Sequence, residues 1–289
     1  EVKGYNETQA YKLVYSGGLQ IYTTQDPEIQ KICDEVFQNE ENYPSNVKWY
    51  LNYELTVLKS DDTYENHSTE MFKAYYKEQN SSFDLLYNSQ DAAYEAIEAY
   101  KEAVLDFGDK VYGENVTLTP QPQVSITVQD QHTGYIVAIV GGRGTKSASR
   151  TLNRATQSYR QPGSTIKPLS VYGPGFDRGV FSPSSVYVDK PYTVSGHTYK
   201  NYYEGFKGKV SVRYAIQQSI NTVAAQCLDD VTLATSYDYM TKKFNFKKVV
   251  PADIAYSPLA VGGLTNGVSV LELTAAYSAI ANNGIYIKP

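Results

Sequence analysis

Cysteine, histidine, methionine and tryptophan are scarce in these 289 residues: two Cys, three His, two Met and a single Trp. Cys33 and Cys227 stand far apart in the chain, which excludes a disulfide framework and a paired-cysteine metal site and leaves room for one long-range disulfide at most. His67, His132 and His197 show no metal-ligand spacing, and no Gly-x-Ser-x-Gly elbow occurs. A zinc hydrolase and a Ser-His-Asp triad are therefore disfavoured, and neither a metal nor a cofactor is expected. Positive charge is also short. Lys and Arg total 26 against 31 Asp and Glu, for a net charge of -5, the opposite of the basic surface that a non-specific nucleic-acid binder needs. No apolar run approaches the roughly 18 residues of a membrane-spanning helix, and no basic-then-apolar leader opens the chain. The sequence starts at Glu1 without Met and stops at Pro289, so it is expected to be a piece of something longer.

What is present suits a globular protein: 42% hydrophobic and 20% charged residues lie near the average for soluble domains, and the length allows one large domain or two ordinary ones. Tyrosine is the exception at 28 residues, read as half-buried packing groups scattered through both halves. Alternation over Leu19 to Thr24 predicts a strand, and Asp26-Pro27 a helix start with Asp26 as N-cap and an apolar stripe of Ile29, Ile32, Cys33, Val36 and Phe37. Trp49 to Leu58 reads as strand and Thr69 to Lys77 as helix. Asp91 to Leu105 is a strong amphipathic helix along Ala93, Ile97, Tyr100 and Val104, with Gly108 closing it. The Pro-containing run Thr117 to Pro122 predicts a linker, dividing the chain into 1–118, an accessory region, and 119–289. Beyond it, Val124 to Val128 and Tyr135 to Val140 form a hairpin, followed by a long, mainly helical stretch.

Two features imitate active-site motifs. The loop Gly141 to Ser147 resembles a phosphate loop but has the wrong spacing, since Thr145 separates Gly144 from Lys146. Ser45-Asn46-Val47-Lys48 matches Ser-x-x-Lys without a helix start or companion motif. Arg160-Gln161-Pro162-Gly163-Ser164-Thr165-Ile166-Lys167-Pro168 differs in context. A serine hydroxyl needs a base within about 3 Å, and a lysine serves only if burial and neighbouring positive charge lower its pKa from ~10.4. A helix starting at Gly163 or Ser164 stacks residues three apart, bringing the Lys167 amine towards the Ser164 oxygen. Its N-terminus also offers amides to an oxyanion. Further along, Ser211 caps a helix through Gln218, and Ser219-Ile220-Asn221 forms a tight turn before a second helix from Thr222. That turn can present a proton-relaying hydroxyl and a peptide-holding amide together; ordinary interhelical capping is the plainer alternative.

Pro162 to Pro168 together with Gln218-Ser219-Ile220-Asn221-Thr222 resembles the first two active-site motifs of penicillin-binding transpeptidases. The Gly17 to Pro27 opening, the hairpin ending Thr133 to Gly142, and Leu259 to Ser269 continuing to Asn283 to Pro289 resemble, in turn, the interdomain segment, first sheet strands, and post-motif helix and strand of class A (bifunctional) members. Ser269 and Glu272 form a capping box there. Residues 39–115 match nothing in the family and are expected to pack separately, remote from the serine, rather than as a lid.

The resemblance implies an α/β (α+β type) fold: the penicillin-binding/serine β-lactamase-like transpeptidase fold, with an antiparallel sheet flanked by helices and a helical subdomain. The sheet is expected to be incomplete, because the third motif, Lys-Ser/Thr-Gly, is absent. The glycine-rich Val171 to Gly175 points to a short or kinked helix. The implied function is D-Ala-D-Ala transpeptidation of peptidoglycan stem peptides, with inhibition by β-lactams. Ser164 is then the nucleophile, Lys167 the base and Ser219 the proton relay, while Asn221 and Thr222 bind substrate and the Ser164 backbone amide supplies half of the oxyanion hole. The implied parent is an extracytoplasmic, membrane-anchored protein with a glycosyltransferase half and a downstream segment carrying the third motif. The rivals are a serine β-lactamase, which also needs a water-activating carboxylate, and a non-catalytic β-lactam-sensing or scaffold domain.

Overall fold

The computed structural model describes residues 4–144 and 151–289, so the Thr145 to Ser147 part of the phosphate-loop look-alike lies outside the described residues. Asn6 and Gln9 form a capping box that opens α1 (Glu7–Ser16). The segment 19–24 forms no strand, and Leu19, Ile21 and Tyr22 are exposed; among the described residues no strand pairs with it along its length. Its end is nevertheless anchored: Thr24 Oγ1 donates to the Ile136 carbonyl at 2.7 Å, and the Asp26 N–H to the Val137 carbonyl at 2.8 Å. Helix α2 (Pro27–Gln38) then starts as predicted, with the Asp26 carboxylate accepting the Glu28 and Ile29 amides and Pro27 in the first position. Ile32 and Val36 of its expected apolar stripe are exposed, so only part of that stripe is used.

Residues 48–121 build a unit with its own core. β1 (Lys48–Leu58) is its central strand, burying Leu51, Tyr53, Leu55 and Val57 at the two-residue period of a half-buried strand. One end pairs with β2 (Tyr64–His67), and α3 (Thr69–Gln79) follows. The other end pairs with β3 (Leu86–Tyr87), which leads into α4 (Gln90–Val104). Between the two short partners, the gap is closed by a side chain: Thr69 Oγ1 donates to the Tyr53 carbonyl and accepts the Tyr53 N–H, each at 2.9 Å. α4 buries Ala93, Ile97 and Tyr100, as its stripe predicts.

β4 (Lys110–Gln121) pairs antiparallel with β1 from Leu58↔Lys110 to Lys48↔Gln121. The expected linker at 117–122 is therefore strand as far as Gln121. Prolines 120 and 122 mark the end of an edge strand, where a missing N–H is tolerated, rather than a flexible connection.

The hairpin follows as β5 (Ile126–Gln129) and β6 (Ile136–Val140), with Gly134 in the turn at φ +79°. α2 packs on β6, and the Gln30 side chain behaves like a strand neighbour: its Oε1 accepts the Ile139 N–H at 2.9 Å and its Nε2 donates to the Ile139 carbonyl at 3.1 Å. Residues 1–118 are thus not wholly separate from the second half.

The remainder forms the second core. It comprises α5 (Arg154–Gln157), α6 (Gly173–Asp177), the paired β7 (Val186–Asp189) and β10 (Gly208–Ser211), the hairpin β8 (Tyr192–Val194) and β9 (His197–Tyr199), and α7 (Val212–Gln217). Then come α8 (Asn221–Val231), α9 (Leu233–Asp238), α10 (Tyr256–Val261) and α11 (Val270–Ala281). α8 is buried nearly all round, through Val223, Ala224, Ala225, Cys227 and Leu228, as befits the helix at the centre of this core. α11 returns to pack on β5, so the two-stranded sheet lies against α2 and α11. The Ser269–Glu272 capping box is present, but residues 285–289, expected as a strand, run past Gly134 without a ladder. Cys33 and Cys227 are both free, so no disulfide links them; burial pushes the Cys227 thiol up to about 12.

Candidate active site

Pro168 dictates the local form of the serine segment. It has no N–H to give the Ser164 carbonyl four residues back, and that oxygen accepts the Lys167 N–H instead. The result is a 3₁₀ turn over Gly163–Ile166, where residues three apart eclipse. A wide turn follows over Pro168–Tyr172, in which the Gly173 N–H reaches the Pro168 carbonyl five residues back, before α6. The expected short, kinked helix is thus three successive helical forms. Ser164 is exposed at its start, while Lys167 is 2% exposed and faces the core that holds Ile166 and Leu169.

The serine segment is clamped from behind. Arg160 and Val268 exchange backbone hydrogen bonds of 3.0 and 2.9 Å. Tyr277 of α11 donates its hydroxyl to the Thr165 carbonyl at 2.6 Å. Ser170, fully buried, donates to the Leu259 carbonyl of α10 at 2.6 Å. Gly262 and Gly267 have φ +83° and +72°, and a Cβ on either would lie 2.1 and 2.3 Å from backbone atoms of Gly163 and Arg160 respectively. Two glycines thus allow the backbone behind the serine to be approached more closely than any side chain permits.

The turn after α7 is equally specific. Ser211 caps α7 by accepting the Tyr214 N–H. At the other end the Ile220 N–H bonds to the Ala215 carbonyl and the Ser219 N–H to the Ile216 carbonyl, the Schellman pair of bonds. Ser219 occupies the left-handed position at φ +49°, where glycine is usual. A serine there carries a steric cost that glycine would avoid, and its hydroxyl points to a neighbouring lysine.

The Lys167 amine joins the two motifs. It donates to the Ser219 carbonyl at 2.7 Å, to Ser219 Oγ at 3.1 Å and to Asn221 Oδ1 at 2.6 Å, using the three donors of an ammonium. Burial pushes its pKa down to about 8. Asn221 Nδ2 donates to the Lys200 carbonyl at 2.9 Å, which fixes its amide with the oxygen towards Lys167.

Of the expected site residues, Lys167, Ser219 and Asn221 are in direct contact. Ser164 lies one 3₁₀ turn before Lys167, but among the described residues no hydrogen bond joins its hydroxyl to that amine; the amine's donors are directed to the second motif instead. Catalytic bonds of this kind are often long without substrate. Thr222, expected to bind substrate, is 0% exposed and donates its hydroxyl to Asp189 Oδ1 at 2.5 Å, so the start of α8 turns it inward. Asp189, Asn201 and Tyr277 lie in no local motif. Gly262-Gly263 and Asn266-Gly267 are local turn signals, but neither names Gly163 or Arg160 as the backbone it meets. Among the described residues no group of three His, Cys, Asp or Glu side chains could hold a metal ion.

This arrangement joins an exposed serine, a buried lysine of lowered pKa and a Ser-x-Asn turn. Residues 124–289, more than half of the chain, match the family model of the penicillin binding protein transpeptidase domain. Penicillin-binding protein 4 of Bacillus subtilis (strain 168) is 31% identical over 264 residues, covering 89% of this chain and 40% of that protein. Penicillin-binding protein 1F of the same organism is 38% identical over 157 residues, 54% of this chain and 21% of that one. The chain therefore spans less than half the length of these relatives. A crystal structure of penicillin-binding protein 1A from Haemophilus influenzae aligns with 96% of this chain and 38% of its own at a TM-score of 0.52 and 18% identity, a likeness of fold. The chain belongs to the transpeptidase-domain family of penicillin-binding proteins.

Proposed function

We propose that this domain is the acyl-serine centre of a D-Ala-D-Ala transpeptidase that cross-links peptidoglycan stem peptides and is acylated by β-lactams. The observation that carries this reading is the Lys167 amine, buried and held by Ser219 and Asn221 one turn beyond the exposed Ser164. Ser164 Oγ attacks the penultimate D-Ala carbonyl carbon while its proton passes to the neutral Lys167 amine. The C–N bond then breaks, the leaving D-Ala nitrogen takes a proton relayed by Ser219, and an acyl-serine ester remains. An acceptor amine then attacks the ester carbonyl carbon: the cross-linking C–N bond forms, the C–Oγ bond breaks, and the proton lost by the amine passes through Lys167 to the Ser164 oxygen, restoring its hydroxyl. Asn221 orients the donor amide, and the Ser164 N–H, in the first turn where amides lack intrahelical partners, gives one oxyanion bond.

The family likeness supports an extracytoplasmic setting, with this chain part of a longer, membrane-anchored protein that also carries a glycosyltransferase half. A downstream Lys-Ser/Thr-Gly segment would supply the second oxyanion amide. The test is a time course of fluorescent-penicillin labelling of the intact protein, with mass spectrometry of the adduct. A stable adduct on the Ser164 peptide, lost in Ser164→Ala, is expected. Rapid release of hydrolysed product would mean a β-lactamase, and absence of label a scaffold.

A further inference from the structure

The N-terminus of α8, which carries Asn221, lacks a cap of its own. Ile220 stands at the N-cap position and has no acceptor for the first free amides of the helix. Asn201, twenty residues earlier in a loop after β9, supplies one: its Oδ1 accepts the Asn221 N–H at 2.9 Å and the Thr222 N–H at 3.4 Å. An asparagine amide can face either way, so something must fix its oxygen towards α8. Asp189 does so. This carboxylate is 1% exposed, and its Oδ1 accepts Asn201 Nδ2 at 2.8 Å.

The other acceptor positions of Asp189 are filled as well. Oδ1 also takes the Thr222 hydroxyl at 2.5 Å, while Oδ2 takes the Tyr203 hydroxyl at 2.6 Å and the Lys207 N–H at 2.7 Å. Burial by itself would raise the Asp189 pKa, but these hydrogen bonds hold it below the usual carboxylate range, so it remains an acceptor at neutral pH. The same segment ends in the Lys200 carbonyl that orients the Asn221 amide.

We propose that Asp189 and Asn201 are positioning residues: a buried carboxylate–amide relay that caps α8 from outside and holds the Ser219–Asn221 turn against Lys167. The consequence rests on reading the site as an acyl-serine centre, while the relay itself is a statement about hydrogen bonds. Thr222 belongs to this relay through both its N–H and its hydroxyl.

The relay has a defined polarity. With its oxygen kept towards the backbone N–H of Lys207, which cannot turn away, Asp189→Asn sets an amide NH₂ against the Asn201 NH₂, and Asn201→Asp sets carboxylate against carboxylate. The double exchange Asp189→Asn with Asn201→Asp restores donor to acceptor at that contact. It leaves the amide oxygen introduced at position 189 for Tyr203 and Lys207, and lets the Thr222 hydroxyl donate elsewhere by rotation. A residue that merely fills space would not be rescued by this reversal.

The test uses the intact protein, measuring the β-lactam acylation rate constant and initial binding constant separately, alongside hydrogen exchange of the peptide spanning 219–223. Each single variant is expected to slow acylation about tenfold to a hundredfold with the binding constant little changed, as small misplacement of a catalytic constellation does. Amide exchange at 221 and 222 should rise in both singles. The exchange pair should bring both readouts back towards wild type. A pair no better than the worse single, or singles that leave acylation and amide protection unaltered, would overturn the relay. Failure of the wild type to acylate at all would refute the proposed function instead, and amide exchange would still decide the relay.

Discussion

Gly262 lies so close to Gly163 that a Cβ on it would sit 2.1 Å from the Gly163 carbonyl oxygen. That contact is backbone against backbone, immediately before the exposed Ser164, so nothing flexible can move aside. Gly262→Ala therefore combines left-handed strain with displacement of the serine segment. We expect it to lower stability by roughly 1–3 kcal/mol and to slow β-lactam acylation by about a hundredfold. Gly196→Ala is the control: φ is +76°, but nothing lies within 4 Å, so only the backbone strain of about 1–2 kcal/mol applies and acylation is unchanged. Thermal melts and acylation rates of both variants check this, and equal acylation in the two would contradict the clamp.

Lys167 should impose a pH dependence on acylation. Burial depresses its pKa to about 8, and in the proposed role of base the amine must be neutral to take the Ser164 proton. The rate should rise with pH, reach half its plateau near 8, and flatten above. Stability has the same sign: between the native value and the ordinary 10.5 the unfolded chain binds more protons, so this group's contribution to stability rises with pH across that window and is least favourable below 8. Lys167→Ala should cost about 10² to 10⁴ in acylation rate and abolish the pH step. A step of unchanged position in the variant would assign it to another group.

Ser219 should show function opposed to stability. It holds φ +49° at the end of α7, where glycine avoids a strain of about 1–2 kcal/mol. Ser219→Gly removes that strain together with the hydroxyl that meets Lys167. The variant is expected to melt at or above the wild-type temperature while acylating more slowly. Slower acylation accompanied by a large loss of stability would show that the serine side chain is structural.

Tyr53 tests the independence of the accessory core. It is buried against Phe72 and Tyr100, with ring centroids at 5.3 and 6.2 Å, in a cluster that shares no residue with the core around Ile166. Tyr53→Ala should cost about 3–5 kcal/mol locally and leave acylation by the folded protein within about twofold of wild type. A parallel loss of acylation would show that the two cores are coupled.

Local chemistry made much of this molecule legible in its sequence. The Asp26-Pro27 start of α2, the stripe of α4, the hairpin of β5 and β6, the Ser211 cap and the Ser269–Glu272 capping box are written in residues a few positions apart. So are the two serine motifs, because each occupies one turn of chain. Tertiary packing decided the rest. The alternation in 19–24 found no partner strand, whereas the proline-bearing 117–121 found β1. The pattern of α2 did not reveal that Gln30, rather than Ile32 or Val36, would meet β6. Lys167 turned its amine to Ser219 and Asn221, Thr222 turned inward to Asp189, and Gly262 closed on Gly163. These outcomes depend on which segments, tens of residues apart, come to share one buried volume, where every polar group must find a partner and every approach is limited by atomic radii. Spacing along the chain specifies neither.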